Sequence, residues 1–159
     1  MNDAFKGEMT RLWGNLGLAA PVFRDQNTTV LKIDDIDVVL TESPDGRCVL
    51  ATARAGRLSE DPSRRADQVR ALLQSNLGAL AGNRSCICLD DKDAPYPTVL
   101  VRALYPYALG QIGHLKGAIE DVLAMVELHR WSLSDQPPTR IAATRSVTSQ
   151  PSEAVIFRP

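Results

Sequence analysis

The sequence predicts an α+β fold, in which helices cover one face of a twisted antiparallel sheet. Three segments place apolar residues at the spacing of an amphipathic helix, and β-branched segments joined by turn sequences lie between them. The connections between neighbouring strands are short, and short connections favour antiparallel pairing. The predicted order of elements is therefore α-β-β-β-α-β-β-α, with the helices packed against the sheet.

The three helices are predicted from apolar stripes and from their boundary signals. The first stripe runs from Phe5 to Leu16, and Gly17 supplies a stop. The second helix begins at Asp61-Pro62, because aspartate can accept a bond from a free amide and proline fits the first turn. The second stripe consists of Ala66, Val69, Leu72, Leu73, Leu77 and Leu80, and the third of Leu115, Ile119, Val122, Leu123 and Val126, continuing towards Trp131.

Five strands are predicted from their β-branched residues and from the turns between them. Asp34-Asp35 suggests a tight hairpin, and the turn sequence Ser43-Pro44-Asp45-Gly46 leads into the third strand. Alternation along the hairpin puts Leu31, Val38 and Leu40 on the face under the first helix. The predicted strands are Thr28–Ile33, Ile36–Thr41, Arg47–Ala53, Ser85–Leu89 and Thr98–Leu104.

Composition and charge limit the function classes. The chain has 159 residues, with 18 Lys and Arg against 19 Asp and Glu, so its formal net charge is −1. A dedicated nucleic-acid binder normally carries a basic face and a high pI. No segment is long and apolar enough to cross a bilayer, and no secretory signal opens the sequence. Three cysteines, an odd count, favour a reducing compartment. We therefore expect a cytoplasmic protein that binds neither nucleic acid nor membrane.

The residues suited to catalysis or to metal binding are few and poorly spaced. His114 and His129 lie about 22 Å apart on one predicted helix, too far to share a metal, so surface or capping roles are expected for both. Cys86 and Cys88 could bind a soft metal together with Cys48, but small buried core residues are the favoured interpretation. We expect no catalytic residue, no metal and no cofactor.

The chain divides into a folded part, residues 1–133, and a C-terminal tail, residues 134–159. The tail holds four Pro, four Ser and three Thr with no apolar period, which is typical of a flexible segment. Within it, Ala154-Val155-Ile156-Phe157 is apolar and β-prone. This patch is either part of a disordered terminus, which we favour, or a segment that adds as a strand to a groove or sheet edge.

Several segments resemble one protein family. These are the first helix ending in Leu16-Gly17-Leu18, the hairpin VLKIDDIDVVL, the strand CVLATARAG, the second helix VRALLQSNLGAL and the last helix GAIEDVLAMVELHRW. In this order they resemble the class I type III secretion chaperones, the Tir-chaperone-like family, over about residues 3–133. The tail and the total length resemble the general, multi-effector chaperones of plant-pathogen secretion systems, the HpaB type.

The resemblance implies a homodimer that binds N-terminal segments of secreted effectors in extended form, without catalysis or cofactor. A secretion-system ATPase is a further candidate partner. By resemblance, the effector-binding residues are Leu12, Leu16, Leu18, Val30 and Val39. For Leu12 and Leu16, plain core packing is the favoured alternative, whereas Val30 and Val39 lie on an otherwise polar face. The dimer interface, on the same grounds, comprises Val69, Leu72, Leu73, Leu77, Ile87 and Leu89.

Two other interpretations stay open from the sequence. One is a non-secretory α+β adaptor or regulatory module of similar fold, which binds proteins outside any secretion system. The other is a small enzyme whose site is assembled from scattered residues such as Asp90, Asp91 and His114. A deep polar pocket with perturbed carboxylates would favour the enzyme, and a shallow apolar groove would favour a binding protein.

Overall fold

One six-stranded antiparallel sheet and three helices make up the part of the chain that the computed structural model describes, residues 3–25, 27–79, 85–90, 96–107 and 112–133. The helices are α1 (Asp3–Asn15), α2 (Pro62–Ala79) and α3 (Ile112–Leu133). The strands are β1 (Phe23–Asp25), β2 (Thr28–Ile33), β3 (Ile36–Glu42), β4 (Cys48–Arg57), β5 (Ser85–Asp90) and β6 (Thr98–Pro106). Their order across the sheet is β1-β2-β3-β4-β6-β5, so β1 and β5 are the edges. The predicted α+β fold is confirmed, whereas the predicted tail, residues 134–159, lies outside the described residues.

The core lies on the helix-covered face of the sheet. Leu31 and Val38 are cross-strand partners and are buried, together with Leu40, as their alternation predicts. Helix α3 packs across β4 and β6, and α1 adds fully buried side chains such as Phe5 and Met9. The opposite face of the sheet carries the side chains at the alternate strand positions. These side chains are mostly exposed or half-buried.

Strand β1 was not predicted. Its three residues are too few for an alternating pattern, and its register with β2 is irregular between Phe23 and Asp25. The strand is held by its surroundings instead: Thr29 Oγ1 donates to the carbonyl of Val22 at 2.8 Å, and the Phe23 ring meets the Phe5 ring edge-on at 6.0 Å. The sheet therefore begins one strand earlier than the sequence indicates.

Two predicted helix boundaries, the end of α1 and the start of α2, are confirmed by hydrogen bonds. Gly17 has a φ of 67°, which a glycine adopts without strain, and the amide of Leu18 bonds the carbonyl of Trp13 at 3.0 Å. At the start of α2, Asp61 Oδ1 accepts a bond from the amide of Arg64 at 2.8 Å. The turn at Gly17 redirects the chain at the end of α1 and leaves Leu18 half exposed.

Two expectations about the core are wrong. Trp131 does not continue the buried stripe of α3 but is 76% exposed, because the buried face at this end passes through His129 and Leu133, four residues apart. Cys86 is exposed and Cys88 half-buried, since both lie on the face of β5 opposite to the core-facing Ser85 and Ile87. Burial raises the pKa of the Cys88 thiol.

Gly56 is expected to be sensitive to any side chain. A Cβ at this position would lie 2.6 Å from Cβ of Leu133, whose buried side chain anchors the end of α3 on β4. We expect Gly56→Ala to lower the free energy of unfolding by about 1–3 kcal/mol through this overlap, measured by urea denaturation. Gly7→Ala is the matched control: the position is open and helical, so we expect a gain of about 0.5–1 kcal/mol. Equal effects of the two substitutions would contradict the assigned contact.

Candidate functional site

Exposed apolar side chains occur at several places on the described domain, and two of these surfaces include predicted site residues. The first, which we call the β1–β3 groove, is a shallow depression of about 410 Å³ at one edge of the sheet. Val22, 79% exposed, and Val30 supply its apolar part, while Arg24, Lys32 and Asp37 supply charges. An apolar contact point beside a free strand edge is a feature of surfaces that bind an extended protein segment.

The residues predicted to bind an effector fall into three environments. Leu12 is 1% exposed and packs in the core, so it supports α1 but offers no contact surface in this structure. Leu16 and Leu18 are exposed at the end of α1, and they are not among the residues that line the groove. Val30 and Val39 are cross-strand partners on the face away from the helices, where both are half-buried.

The second surface, which we call the α2–β5 surface, brings together most of the residues predicted for the dimer interface. Its centre is an apolar groove of about 60 Å³ between α2 and the edge strand β5. Leu73 and Leu89 are more than half exposed, whereas Leu72 and Ile87 are buried and form the floor. Leu77, one helical turn beyond Leu73, is 70% exposed. The groove is lined by Val69, Leu72, Leu73, Asn76, Ile87, Cys88 and Leu89.

Polar side chains that the sequence did not single out fix α2 in place. Asn76 bonds both backbone groups of Ile87: Oδ1 accepts from the amide at 2.7 Å, and Nδ2 donates to the carbonyl at 2.8 Å. The buried Gln68 accepts from the amide of Ser59 at 2.8 Å and donates to the carbonyl of Ser132 at 2.7 Å. These bonds satisfy buried polar groups, so they hold α2 against β5 and α3 at a defined position.

His129 does not have the surface or capping role expected for it. It is 8% exposed between α3 and α2, and its Nε2 lies 2.9 Å from Ser75 Oγ. The burial follows from the path of α2 over α3, which a single helical pattern does not reveal. Because burial penalises the charged ring, the pKa of His129 is lowered from its ordinary value of 6.5.

Acidification is therefore expected to destabilise the domain through His129. The unfolded chain takes up a proton on this ring at a higher pH than the folded chain does, so the contribution is complete above the unfolded pKa of 6.5 and is lost as the pH falls from there through the lower pKa of the folded chain. We expect the urea midpoint to fall between about pH 7.5 and about pH 5, and His129→Gln to flatten part of that slope. A ring titration midpoint at or above 6.5 in a proton NMR titration would contradict this expectation.

Of the residues named above for a scattered enzyme site, those that the structure describes do not line the described cavity with the most charged side chains. A polar cavity of about 310 Å³ lies between the β2–β3 turn, β4 and α3, and its charged lining is Asp35, Asp37, Arg54 and Arg130. Neither Asp90 nor His114 lines it, and Asp91 lies outside the described residues. Within the described ranges, no three His, Cys, Asp or Glu side chains are grouped as metal ligands would be. The described helices also include none that is both long and apolar enough to cross a membrane.

Known structures share this fold at low sequence identity. A chain of the HopA1–SchA chaperone–effector complex matches with a TM-score of 0.66 at 18% identity, over 80% of this chain and 93% of that one. The Yersinia pestis type III secretion chaperone SycH, solved in complex with a stable fragment of YscM2, gives a TM-score of 0.61 at 18% identity, over 82% and 99%. YbjN from E. coli, described as a putative transcription regulator, gives 0.53 at 19% identity, over 75% and 85%.

Sequence comparison supplies the family that the shared fold alone does not. No curated protein matches the chain at a significant level. The model of the Tir chaperone protein (CesT) family, however, matches residues 10–127, which extend from α1 through most of α3 and so include both exposed surfaces. This match covers well over half of the 159 residues. The chain is therefore a member of the Tir chaperone protein (CesT) family.

Proposed function

We propose that this protein is a type III secretion chaperone that binds the N-terminal segment of secreted effectors and keeps it competent for secretion. The observation that carries the proposal is the family match over residues 10–127. Two open apolar surfaces on one small domain support it, because a chaperone of this kind needs one surface for its client and one for a second copy. No covalent step is required, since the work is done by binding an unfolded segment.

The β1–β3 groove is the proposed client surface. Strand β1 is an edge strand, so an extended client segment can pair its backbone with that edge while its side chains enter the groove. Val22 and Val30 supply apolar contacts there, and Val39 extends the apolar strip to β3. Leu16 and Leu18 offer a second contact point at the end of α1. Backbone pairing tolerates varied sequences, which suits a chaperone with several clients.

The α2–β5 surface is the proposed homodimer interface. Exposed Leu73 and Leu89 line the groove, and exposed Leu77 lies one turn further along α2, so this apolar patch faces outward beside the edge strand β5. In a two-fold dimer this patch would meet its own copy, and the same residues would be buried twice. The client groove lies at the opposite edge, next to β1. Each protomer would thus keep its client surface free.

Co-purification tests the function directly. The chaperone is expressed with candidate effectors from the same bacterium, each in a full-length form and in a form that lacks its N-terminal segment. We expect recovery of the full-length effector with the chaperone and loss of recovery when the segment is removed. Equal recovery of both forms would argue against an N-terminal client segment.

A regulatory or adaptor protein outside secretion is the second candidate function. The likeness to YbjN favours it, because a protein described as a putative transcription regulator has the same fold. The two candidates differ in what they bind: a chaperone needs an unfolded, extended segment, whereas an adaptor binds a folded partner equally well. Effectors that bind only after removal of their N-terminal segments, or binding partners that are folded domains, would favour the adaptor.

A further inference from the structure

Strand β5 is an edge of the sheet, and its free side is where another strand could add. Alternate residues of an antiparallel strand direct both backbone groups to the same side. All six residues of β5 are in register with β6, Ile87 opposite Val101. The amide and the carbonyl of Ile87 both bond a side chain of α2, so these two groups lie on the free side of the strand. By this alternation, Ser85, Ile87 and Leu89 direct their backbone groups away from β6, although the side chains of Ser85 and Ile87 face the core, and Ile87 is the middle one of the three.

Both outward-facing groups of Ile87 are already bonded to one side chain. The side-chain amide of Asn76 accepts from the Ile87 amide at 2.7 Å and donates to the Ile87 carbonyl at 2.8 Å. A primary amide presents its oxygen and one of its two N–H donors on the same side, so it can bond the amide and the carbonyl of one residue together, as a residue of a neighbouring strand would. Asn76 therefore takes the place that the backbone of an adjoining strand would occupy, and a shorter or non-amide side chain could not do so.

We infer that Asn76 closes the outer edge of β5 to strand addition. An extended segment cannot pair along β5 without first displacing this side chain, so strand addition is directed to the other edge, β1. The second consequence rests on the proposed homodimer: a copy bound at the α2–β5 surface is held by apolar side chains such as Leu73 and Leu77, and no continuous sheet runs through both protomers. Natural proteins protect exposed strand edges in comparable ways.

Amide exchange at Ile87 is the direct test. It is measured in a Leu73→Asp/Leu77→Asp background, in which we expect the proposed dimer to be lost, because a bound second copy would itself shield the amide. We expect Asn76→Ala to accelerate exchange of the Ile87 amide by about tenfold or more, because its acceptor is gone. The nearly isosteric Asn76→Asp keeps the acceptor and loses the donor, so its Ile87 amide should stay protected even if the alanine variant folds poorly. Unchanged exchange in Asn76→Ala would overturn the inference.

The mass in solution provides the second readout. By light scattering in the otherwise unchanged chain, we expect Asn76→Ala to form species larger than the unsubstituted protein, because an open edge lets further copies add as strands. Gln74→Ala, an exposed polar position on the same helix, is the matched control and should leave the mass unchanged. If the unsubstituted protein is a monomer, the proposed homodimer fails, yet the exchange result still decides the role of Asn76. A wild-type mass for Asn76→Ala at every concentration would count against edge closure.

Discussion

The double substitution Leu73→Asp/Leu77→Asp is expected to convert the proposed dimer into a monomer. The two leucines are 59% and 70% exposed in the isolated chain, so they contribute little to its core. Burying a leucine stabilises an interface by about 1.5–3 kcal/mol, and a two-fold interface buries each residue twice. Replacing both with carboxylates should therefore raise the dimer dissociation constant by a factor of about a hundred or more. Light scattering over a range of concentrations measures the change.

A charge placed elsewhere on α2 separates the interface from a general effect of acidity. Gln74 is exposed and lies next to Leu73 in sequence, but on a different side of the helix from the groove. We expect Gln74→Asp to remain dimeric with the thermal stability of the unsubstituted chain. A dimer that survives the double leucine substitution, or a clean monomer for the unsubstituted protein at micromolar concentration, would remove the α2–β5 surface as the interface.

Local patterns account for the parts of the fold that the sequence predicted correctly. The strand β2 has the predicted bounds, and the turn before β4 has the expected bond between the amide of Gly46 and the carbonyl of Ser43, 2.8 Å long. Such signals are short-range, so they can be read without knowing the rest of the molecule. Strand β1 and the burial of His129 depend instead on contacts between distant segments, and no local pattern encodes them.

Local patterns likewise account for only part of the β1–β3 groove and the α2–β5 surface. The apolar stripe of α2 is wider than one packing partner needs, and part of it, at Leu73 and Leu77, faces outward. Leu12 and Leu16 belong to one stripe of α1, yet only the second is exposed, because the chain turns at Gly17. Asn76 was missed because its partner is the backbone of Ile87, which any sequence would provide.

Val30→Asp is expected to abolish most of the client binding while leaving the dimer intact. Val30 lines the β1–β3 groove, where an extended client would cover it. Covering a polar group with apolar client side chains costs about 1–3 kcal/mol, and a carboxylate costs at least as much, so the dissociation constant for a client segment should rise by about tenfold or more. Titration calorimetry or fluorescence anisotropy with an N-terminal effector segment found by co-purification measures this change.

Two controls distinguish a lost contact from a damaged fold. Val30 pairs with Val39 across the strands, and losing such a pair costs about 0.2–1 kcal/mol, well below the stability of a typical domain. Val30→Thr keeps the branched shape without a charge and should bind nearly as well as the unsubstituted protein. Gln74→Asp adds the same charge on α2 and should bind with full affinity. A Val30→Asp variant that folds, remains dimeric and still binds with full affinity would show that the client occupies another surface. The exposed Leu16 and Leu18 would then be the first residues to substitute.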